Sequence, residues 1–466
     1  MFAAVQGAVQ ADIHAGLWAL IKIAAAFVVT VFLVRRGMAI GYVLLIAAVL
    51  LGLALGVGFA EGGTGLGWAL SGSWSLLVEM GRAAVKPDSL RLLCLVLTIT
   101  VFGGVLKRVE KLRALADSLL ALLRDRRWAM ASLSSLIGLL PMPGGAMVSA
   151  PMVGEVAEDT DLTREEKTAV NHWMRHVWEY VDPLYPGLLM ASAVFAVPVT
   201  GLMLAQSPLS LAAIVGGVVF LLGRVPHHQR GVGDEAGERS LLPVLKAIAP
   251  VLVVIFAAII PQGFAAVAKN FPDAAGYLPG GARWGDKEFL RWTTELLMLA
   301  ALFGVIWVLL AANRMGRVES WRLIRQGVTL RMTALVVGVC VMKEVLAVSG
   351  TVEPIAAFLR STGLPAPVVI GCLLFLVGML LGYTFGFVAI CYPMLKPMLM
   401  TGGGLNYPLA SFAFAMGFLG VMLSPVHLCL VLSREHFGAG WGGVYRKLLA
   451  PAALVFLTAL LLLVWA

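Results

Sequence analysis

Uninterrupted apolar runs recur along the whole chain, at residues 16–34, 37–60, 88–106, 184–206, 208–223, 241–262, 290–312, 328–348 and 445–465. Each is close to the ~20 residues a helix needs to cross the hydrocarbon of a bilayer. One soluble core cannot absorb them, because cores stop growing near about 250–300 residues. Of the 466 residues, 60% are hydrophobic and only 13% charged, and mean hydropathy is +0.91. Soluble domains carry about 25% charged residues; disorder, fibres and disulfide scaffolds are excluded by the same figures. Lipid satisfies backbone groups only inside helices or closed barrels, and these runs lack the alternation of a barrel strand. The fold class expected is an all-α polytopic membrane protein.

Two apolar regions do not read as crossings. Residues 128–155 are interrupted at Pro141-Met142-Pro143-Gly144-Gly145, and residues 366–398 around Gly382-Tyr383-Thr384-Phe385-Gly386. Their halves are too short to span, so each region is expected to be a re-entrant helical hairpin with its tip buried in protein or lining a cavity. A basic amphipathic stretch, Lys107–Arg127, precedes the first and suits a helix lying on an anionic membrane surface. Residues 352–361 are its shorter counterpart. Thr163-Arg164-Glu165-Glu166 reads as a capping box opening a helix over 165–181, which Pro183 breaks after Asp182. The matching run 407–423 breaks at Ser424-Pro425.

These features recur in one order: three spans, surface helix, hairpin, broken helix, span. A shift of 242 residues lays Gly144 on Gly386, Pro151-Met152 on Pro393-Met394 and Pro183 on Pro425. The chain therefore divides into two repeats, 1–223 and 241–466, joined by a polar linker, 224–240. Five crossings per half, an odd number, predict that the repeats are inverted. Arg35-Arg36, the basic stretch before hairpin one, the linker arginines, Arg314–Arg325 and Arg434–Lys447 fall on one side, which the positive-inside rule makes cytoplasmic. Both termini are then expected in the periplasm of a prokaryotic inner membrane, with hairpin one opening to the cytoplasm and hairpin two outwards. The first sixteen residues lack a basic segment, so no cleavable signal peptide is expected.

Inverted repeats with broken helices put substrate and ion sites near the midplane. The expected substrate-lining residues at the first tip are Pro143, Gly144, Gly145 and Ser149, and at the second Tyr383, Thr384 and Gly386; close packing through small residues is the competing explanation. His172, Arg175, His176 and Glu179 are spaced i, i+3, i+4, i+7 and share one helical face, with Asp182 at the break. Such groups are costly in lipid and mark a polar cavity. Arg175 offers a planar fork for a carboxylate, Glu179 and Asp182 would hold a proton or Na⁺, and the histidines would relay protons. An amphipathic helix in the cytosol and a static Arg175–Glu179 pair are the alternatives. Ser424 and His427 follow the second break as further binding candidates. Lys343-Glu344 reads as a snorkelling lysine rather than a buried ion pair.

No catalytic or metal site is expected. The five cysteines are scattered singly and read as small buried hydrophobes; His227-His228 have poor ligand geometry. HExxH, GxSxG and Walker loops are absent, which speaks against an enzyme or an ATP-driven pump. The charge of +9 is explained by membrane orientation rather than nucleic acid.

At the level of topology the chain resembles the ion-transporter superfamily, which includes citrate, dicarboxylate, gluconate and arsenite carriers. LLPMPGGAMVSAP and NHWMRHVWEYVDPLYPG resemble an uncharacterised prokaryotic membrane family of unknown function within it. The resemblance implies a homodimer with a fixed scaffold and a mobile transport domain moving as an elevator, with hairpins and broken helices carrying the substrate. Pro-Met-Pro-Gly-Gly stands where the sodium–dicarboxylate carriers have a Ser-Asn-Thr signature. The function expected is H⁺- or Na⁺-coupled secondary transport of a small organic anion, without cofactor; an exporter, a carrier of amino acids or of an inorganic oxyanion, and a membrane-embedded enzyme are the alternatives.

Overall fold

Continuous apolar sequence becomes continuous helix until a proline, a left-handed residue or a polar turn stops it. The computed structural model describes residues 2–60, 64–109, 118–119, 122–123, 125–140, 145–158, 160–223, 241–270, 284, 286–361, 363–401 and 403–464. Pro143, Gly144, most of Lys107–Arg127 and the linker 224–240 lie outside them.

The first half contains α1 (Phe2–Arg35), α2 (Ile40–Leu55), α3 (Gly65–Val85), α4 (Pro87–Arg108), α5 (Arg126–Gly138), α6 (Ala146–Val156), α7 (Arg164–Arg175), α8 (Pro186–Phe195) and α9 (Val199–Gly216). A π-helical turn, Gly217–Leu222, continues α9. The second contains α10 (Leu242–Asn270), α11 (Lys287–Ala312), α12 (Arg317–Gly327), α13 (Leu330–Val348), α14 (Val352–Ser361), α15 (Ala366–Leu381), α16 (Thr384–Leu399), α17 (Tyr407–Met422), α18 (Leu428–Phe437) and α19 (Trp441–Val464). A two-residue ladder pairing Met400 with Leu405 joins α16 to α17. Among the described residues, α4, α9 with its π turn, α10, α11 and α19 are long and apolar enough to cross a membrane.

Several boundaries differ from expectation. The two spans 184–206 and 208–223 are instead a short helix, α8, and one long one. Ala196 adopts a left-handed conformation (φ 55°) and ends α8, whereas Pro208 does not end α9. The carbonyl that Pro208 leaves without its amide partner, Leu204 O, accepts from Ser207 Oγ at 2.8 Å, a local repair that lets proline persist in a membrane helix. The helix expected over 165–181 stops at Arg175; turns occupy 176–181. Its start is as expected: Thr163 and Glu166 form a reciprocal capping box. Burial pushes the Glu166 carboxyl up, but Lys447 Nζ at 2.7 Å and the Thr163 bonds outweigh it, and its pKa lies below the ordinary value. Helices α3 and α12 fall where no span was assigned, and both are amphipathic rather than uniformly apolar.

The hairpin arms α5, α6, α15 and α16 have 13, 11, 16 and 16 residues. At ~1.5 Å per residue they reach about 17–24 Å, short of the ~30 Å hydrocarbon. The arms of each hairpin pack on one another.

Element bounds recur at a constant offset. Helix α18 lies 242 residues after α8 at both ends, 428 against 186 and 437 against 195. Helix α19 stands likewise to α9 with its π turn, 441 against 199 and 464 against 222. The left-handed caps Ala196 and Gly438 correspond too. Packing follows the same exchange: α5 on α7 and α15 on α17, α6 on α18 and α16 on α8, α4 on α12 and α13 on α3.

Helices α4 and α11 are clamped by a four-membered charge network. Arg291 Nη2 donates to Asp88 Oδ2 at 2.8 Å and Arg91 Nε to Glu295 Oε2 at 2.8 Å, while Arg91 also binds Asp88. Removing one member of a buried pair costs about 3–5 kcal/mol, and the half-exposed Asp88 puts this case near the low end. Arg291→Met is therefore expected to destabilise the folded protein by roughly 3 kcal/mol, read as a lowered unfolding midpoint in detergent; an unchanged midpoint would show the network to be ornamental.

Candidate functional site

The break between α7 and α8 leaves residues 176–185 non-helical and largely buried. Ser210 Oγ takes up an orphan backbone group, donating to Val177 O at 2.6 Å, and the Trp178 side chain is anchored by Nε1 donating to Ser135 Oγ at 2.7 Å. At the tip of the break Asp182 Oδ1 accepts the Leu184 amide at 2.9 Å. Ser424, the residue at the 242 offset, accepts the Val426 amide at 3.3 Å. The two breaks thus share one side-chain-closed turn.

His172, Arg175, His176, Glu179 and Asp182 are all buried, which removes the reading of a helix projecting into solvent. Because α7 stops at Arg175, His172, Arg175, His176 and Glu179 no longer share one helical face; the turns redirect them. Glu179 becomes a junction between the halves. Its Oε1 accepts from the Tyr185 hydroxyl and its Oε2 from Thr384 Oγ1, at 3.1 Å, on the second hairpin. His176 Nε2 lies 3.6 Å from Glu179 Oε1 and 3.1 Å from Nε2 of His427, on the second break. The rings of His172, His176 and His427 form a near-equilateral triangle with centroids 4.9, 5.3 and 5.0 Å apart.

At the first hairpin the Arg175 guanidinium packs directly over Gly145, where any Cβ would meet it, and Nη1 reaches Ile137 O at 3.4 Å. Ser149 is fully buried, and its hydroxyl has no hydrogen-bond partner among the described residues; the buried hydroxyl of Tyr383 is in the same position. Two expected members are turned elsewhere. Ser424 Oγ donates to Met379 O at 2.6 Å, tying the second break to the end of α15. Gly386 gives room to the Tyr383 ring. Lys343 and Glu344 do not pair with each other: Lys343 Nζ donates to Ala193 O at 3.3 Å, while Glu344 binds Lys86 at 2.6 Å.

Tyr185, Asn171 and Cys429 were not singled out from the sequence. Tyr185, in Asp-Pro-Leu-Tyr-Pro-Gly, stands beside the break and was findable. Asn171 bridges Ser134 and Ser433, at 3.1 and 2.8 Å, linking the first hairpin to the second break. Cys429 is no isolated hydrophobe: it lines the same cavity as His176 and His427.

A cavity of about 260 Å³ opens beside the cluster. Val96, Ile99 and Thr100 of α4 with Met332 and Leu335 of α13 form one wall; His176, Glu179, Thr384, His427 and Cys429 line the other.

Fold and site together define a multi-pass helical membrane protein with a buried polar cluster between two helix breaks. The chain belongs to the protein family of unknown function DUF401, whose model matches residues 28–262 and 290–465. Among solved structures it is similar to the YdaH transporter of Alcanivorax borkumensis, whose crystal structure is described as having an unusual topology. The likeness has 15% identity and a TM-score of 0.55, covering 91% of this chain and 97% of that one. At that identity the shared property is the fold. No curated protein matches the chain.

Proposed function

We propose that the chain is a secondary active transporter that moves a small organic anion, a carboxylate, by alternating access coupled to H⁺ or Na⁺. One observation carries this reading: Glu179 of the first break is held by Thr384 of the second hairpin, while His176 faces His427 of the second break, in one buried cluster beside a cavity. Ionisable groups at this depth are expensive and mark a pathway for solute or ion. Arg175, poised over the first hairpin tip, is the carboxylate ligand; Glu179 and Asp182 hold the coupling ion.

The exchange of packing partners at the 242 offset supports two repeats related by a two-fold axis, and an odd number of crossings per repeat makes them inverted. The cavity wall supports an elevator. Helices α4 and α13 stand on the scaffold side, hairpins and breaks on the moving side, with the cavity between them. Charge distribution favours an inner-membrane protein with periplasmic termini, and the wider ion-transporter resemblance favours a homodimer. The fold shared with a transporter supports the transport part of this reading.

Purified protein in liposomes is expected to accumulate a labelled carboxylate under an imposed H⁺ or Na⁺ gradient and to lose that uptake when an ionophore collapses it. Arg175→Lys forfeits a bidentate charged contact of about 1.5–3 kcal/mol, so KM should rise about 10-fold or more. A carboxylate panel with no gradient-dependent member would overturn the substrate class.

A further inference from the structure

We propose that His172, His176 and His427, with Cys429, form a binding site for one first-row transition-metal dication of the zinc class. The inference does not depend on the transport reading, since it concerns only what these four side chains hold.

It starts from where the ring protons go. A carbonyl oxygen only accepts, so each ring nitrogen bonded to one must carry the proton. His172 Nε2 bonds Met422 O at 3.0 Å, His176 Nδ1 bonds His172 O at 2.6 Å, and His427 Nδ1 bonds Gly382 O at 2.7 Å. In neutral imidazoles this fixes all three tautomers and strips the remaining nitrogens, His172 Nδ1, His176 Nε2 and His427 Nε2, of hydrogen. His172 Nδ1 has no hydrogen-bond partner among the described residues. His176 Nε2 and His427 Nε2 face each other at 3.1 Å. Two lone pairs that close repel unless a cation lies between them.

One outer N–H on a backbone carbonyl and one bare nitrogen facing inward is the arrangement in which proteins present histidine to a metal. One nitrogen from each ring lies within 4.8 Å of the other two. With metal–nitrogen bonds of about 2.0–2.1 Å, a separation of 3.1 Å subtends about 100° at the ion, near a tetrahedral angle. Cys429, which lines the same cavity as His176 and His427, supplies the fourth donor. Three imidazoles and a thiolate suit zinc or cobalt and exclude magnesium and calcium, which take oxygen. Charge balances as well: the thiol loses its proton to the medium on binding, and that thiolate with Glu179 offsets the dication. The cavity beside His176, His427 and Cys429 gives the ion a path in.

The test is titration of the purified full-length protein with Co²⁺, then Zn²⁺. One Co²⁺ per chain is expected, with the visible bands of a tetrahedral ion, a thiolate-to-cobalt charge-transfer band, and displacement by Zn²⁺ but not Mg²⁺. Cys429→Ser should remove the charge-transfer band and keep tetrahedral bands; Cys391→Ser should change neither. His427→Gln should weaken binding by more than the about 10–100-fold that loss of an outer-shell partner costs. Octahedral or non-saturating Co²⁺ in the unaltered protein would overturn the site even if every variant misfolded, and would leave the triad a shared proton instead.

Discussion

Alanine at Gly378 is expected to lower the protein's unfolding midpoint sharply. Helices α15 and α17 pack more closely than any side chain allows: a Cβ on Gly378 would run into the Gly417 carbonyl, and one on Gly420 into the Phe375 carbonyl. The obstacle is backbone, which cannot swing aside as a side-chain tip does. Small residues permit such approaches in membranes, where packing rather than the hydrophobic effect holds helices together. Overpacking costs about 1–3 kcal/mol in ordinary cores, and a double-backbone clash belongs at or above about 3 kcal/mol. Gly263 provides the internal control. It lies in α10 with open space around it, so alanine there should be neutral or gain about 0.5–1 kcal/mol from helix propensity. Monodisperse yield and the unfolding midpoint of the two variants measure the difference; equal midpoints would mean that the crossing relaxes freely. Gly138 offers a repeat of the experiment, because its Cβ would strike the Arg175 carbonyl, and residues 175 and 417 stand at the same 242 offset.

The crossing also shows why parts of the fold were readable and others not. Apolar run length and proline–glycine interruptions report directly on helix extent, so α10, α11, α13, both hairpins and the capping box at Thr163 were legible. The end of α7 was not. Nothing between Arg175 and Asp182 is a helix breaker; the turns are held by tertiary partners, Ser210 and Ser135 among them. The division between 206 and 208 failed in the opposite direction, since α9 runs on through Pro208 and the Ser207 hydroxyl repairs the ladder there. At the site, ionisable residues in apolar surroundings drew attention to His172 through Asp182, and the fold brings them to His427 as the two breaks meet. Cys429 escaped because a lone cysteine's role depends on what the fold sets around it: it lines the cavity with His427, two residues away, and with His176 from the other half of the chain. Helical spacing placed the right residues together for a reason that fails in detail, since it is the unwinding, not the helix face, that lets Glu179 reach Thr384.

Glu179→Gln is expected to abolish ion-coupled accumulation while leaving the protein folded. The carboxylate takes two hydroxyl donors, Tyr185 on Oε1 and Thr384 on Oε2, one from each half of the chain. An amide of the same shape has one acceptor oxygen and an NH₂, so one of the two hydroxyls must turn or lose its partner, and no charge remains to bind a cation. Hydrogen bonds to a charged group contribute about 1.5–3 kcal/mol each; forfeiting one together with the ion's own contact amounts to about 3 kcal/mol, or about 100-fold in coupled uptake. Isosteric size keeps the cavity filled, so the unfolding midpoint should change far less than for Gly378→Ala. Solute counterflow without an imposed gradient separates the roles. Exchange that persists in Glu179→Gln while accumulation disappears assigns Glu179 to the coupling ion. Loss of both makes it part of the solute site, and intact accumulation passes the coupling role to Asp182, whose Oδ2 is buried without a hydrogen-bond partner among the described residues.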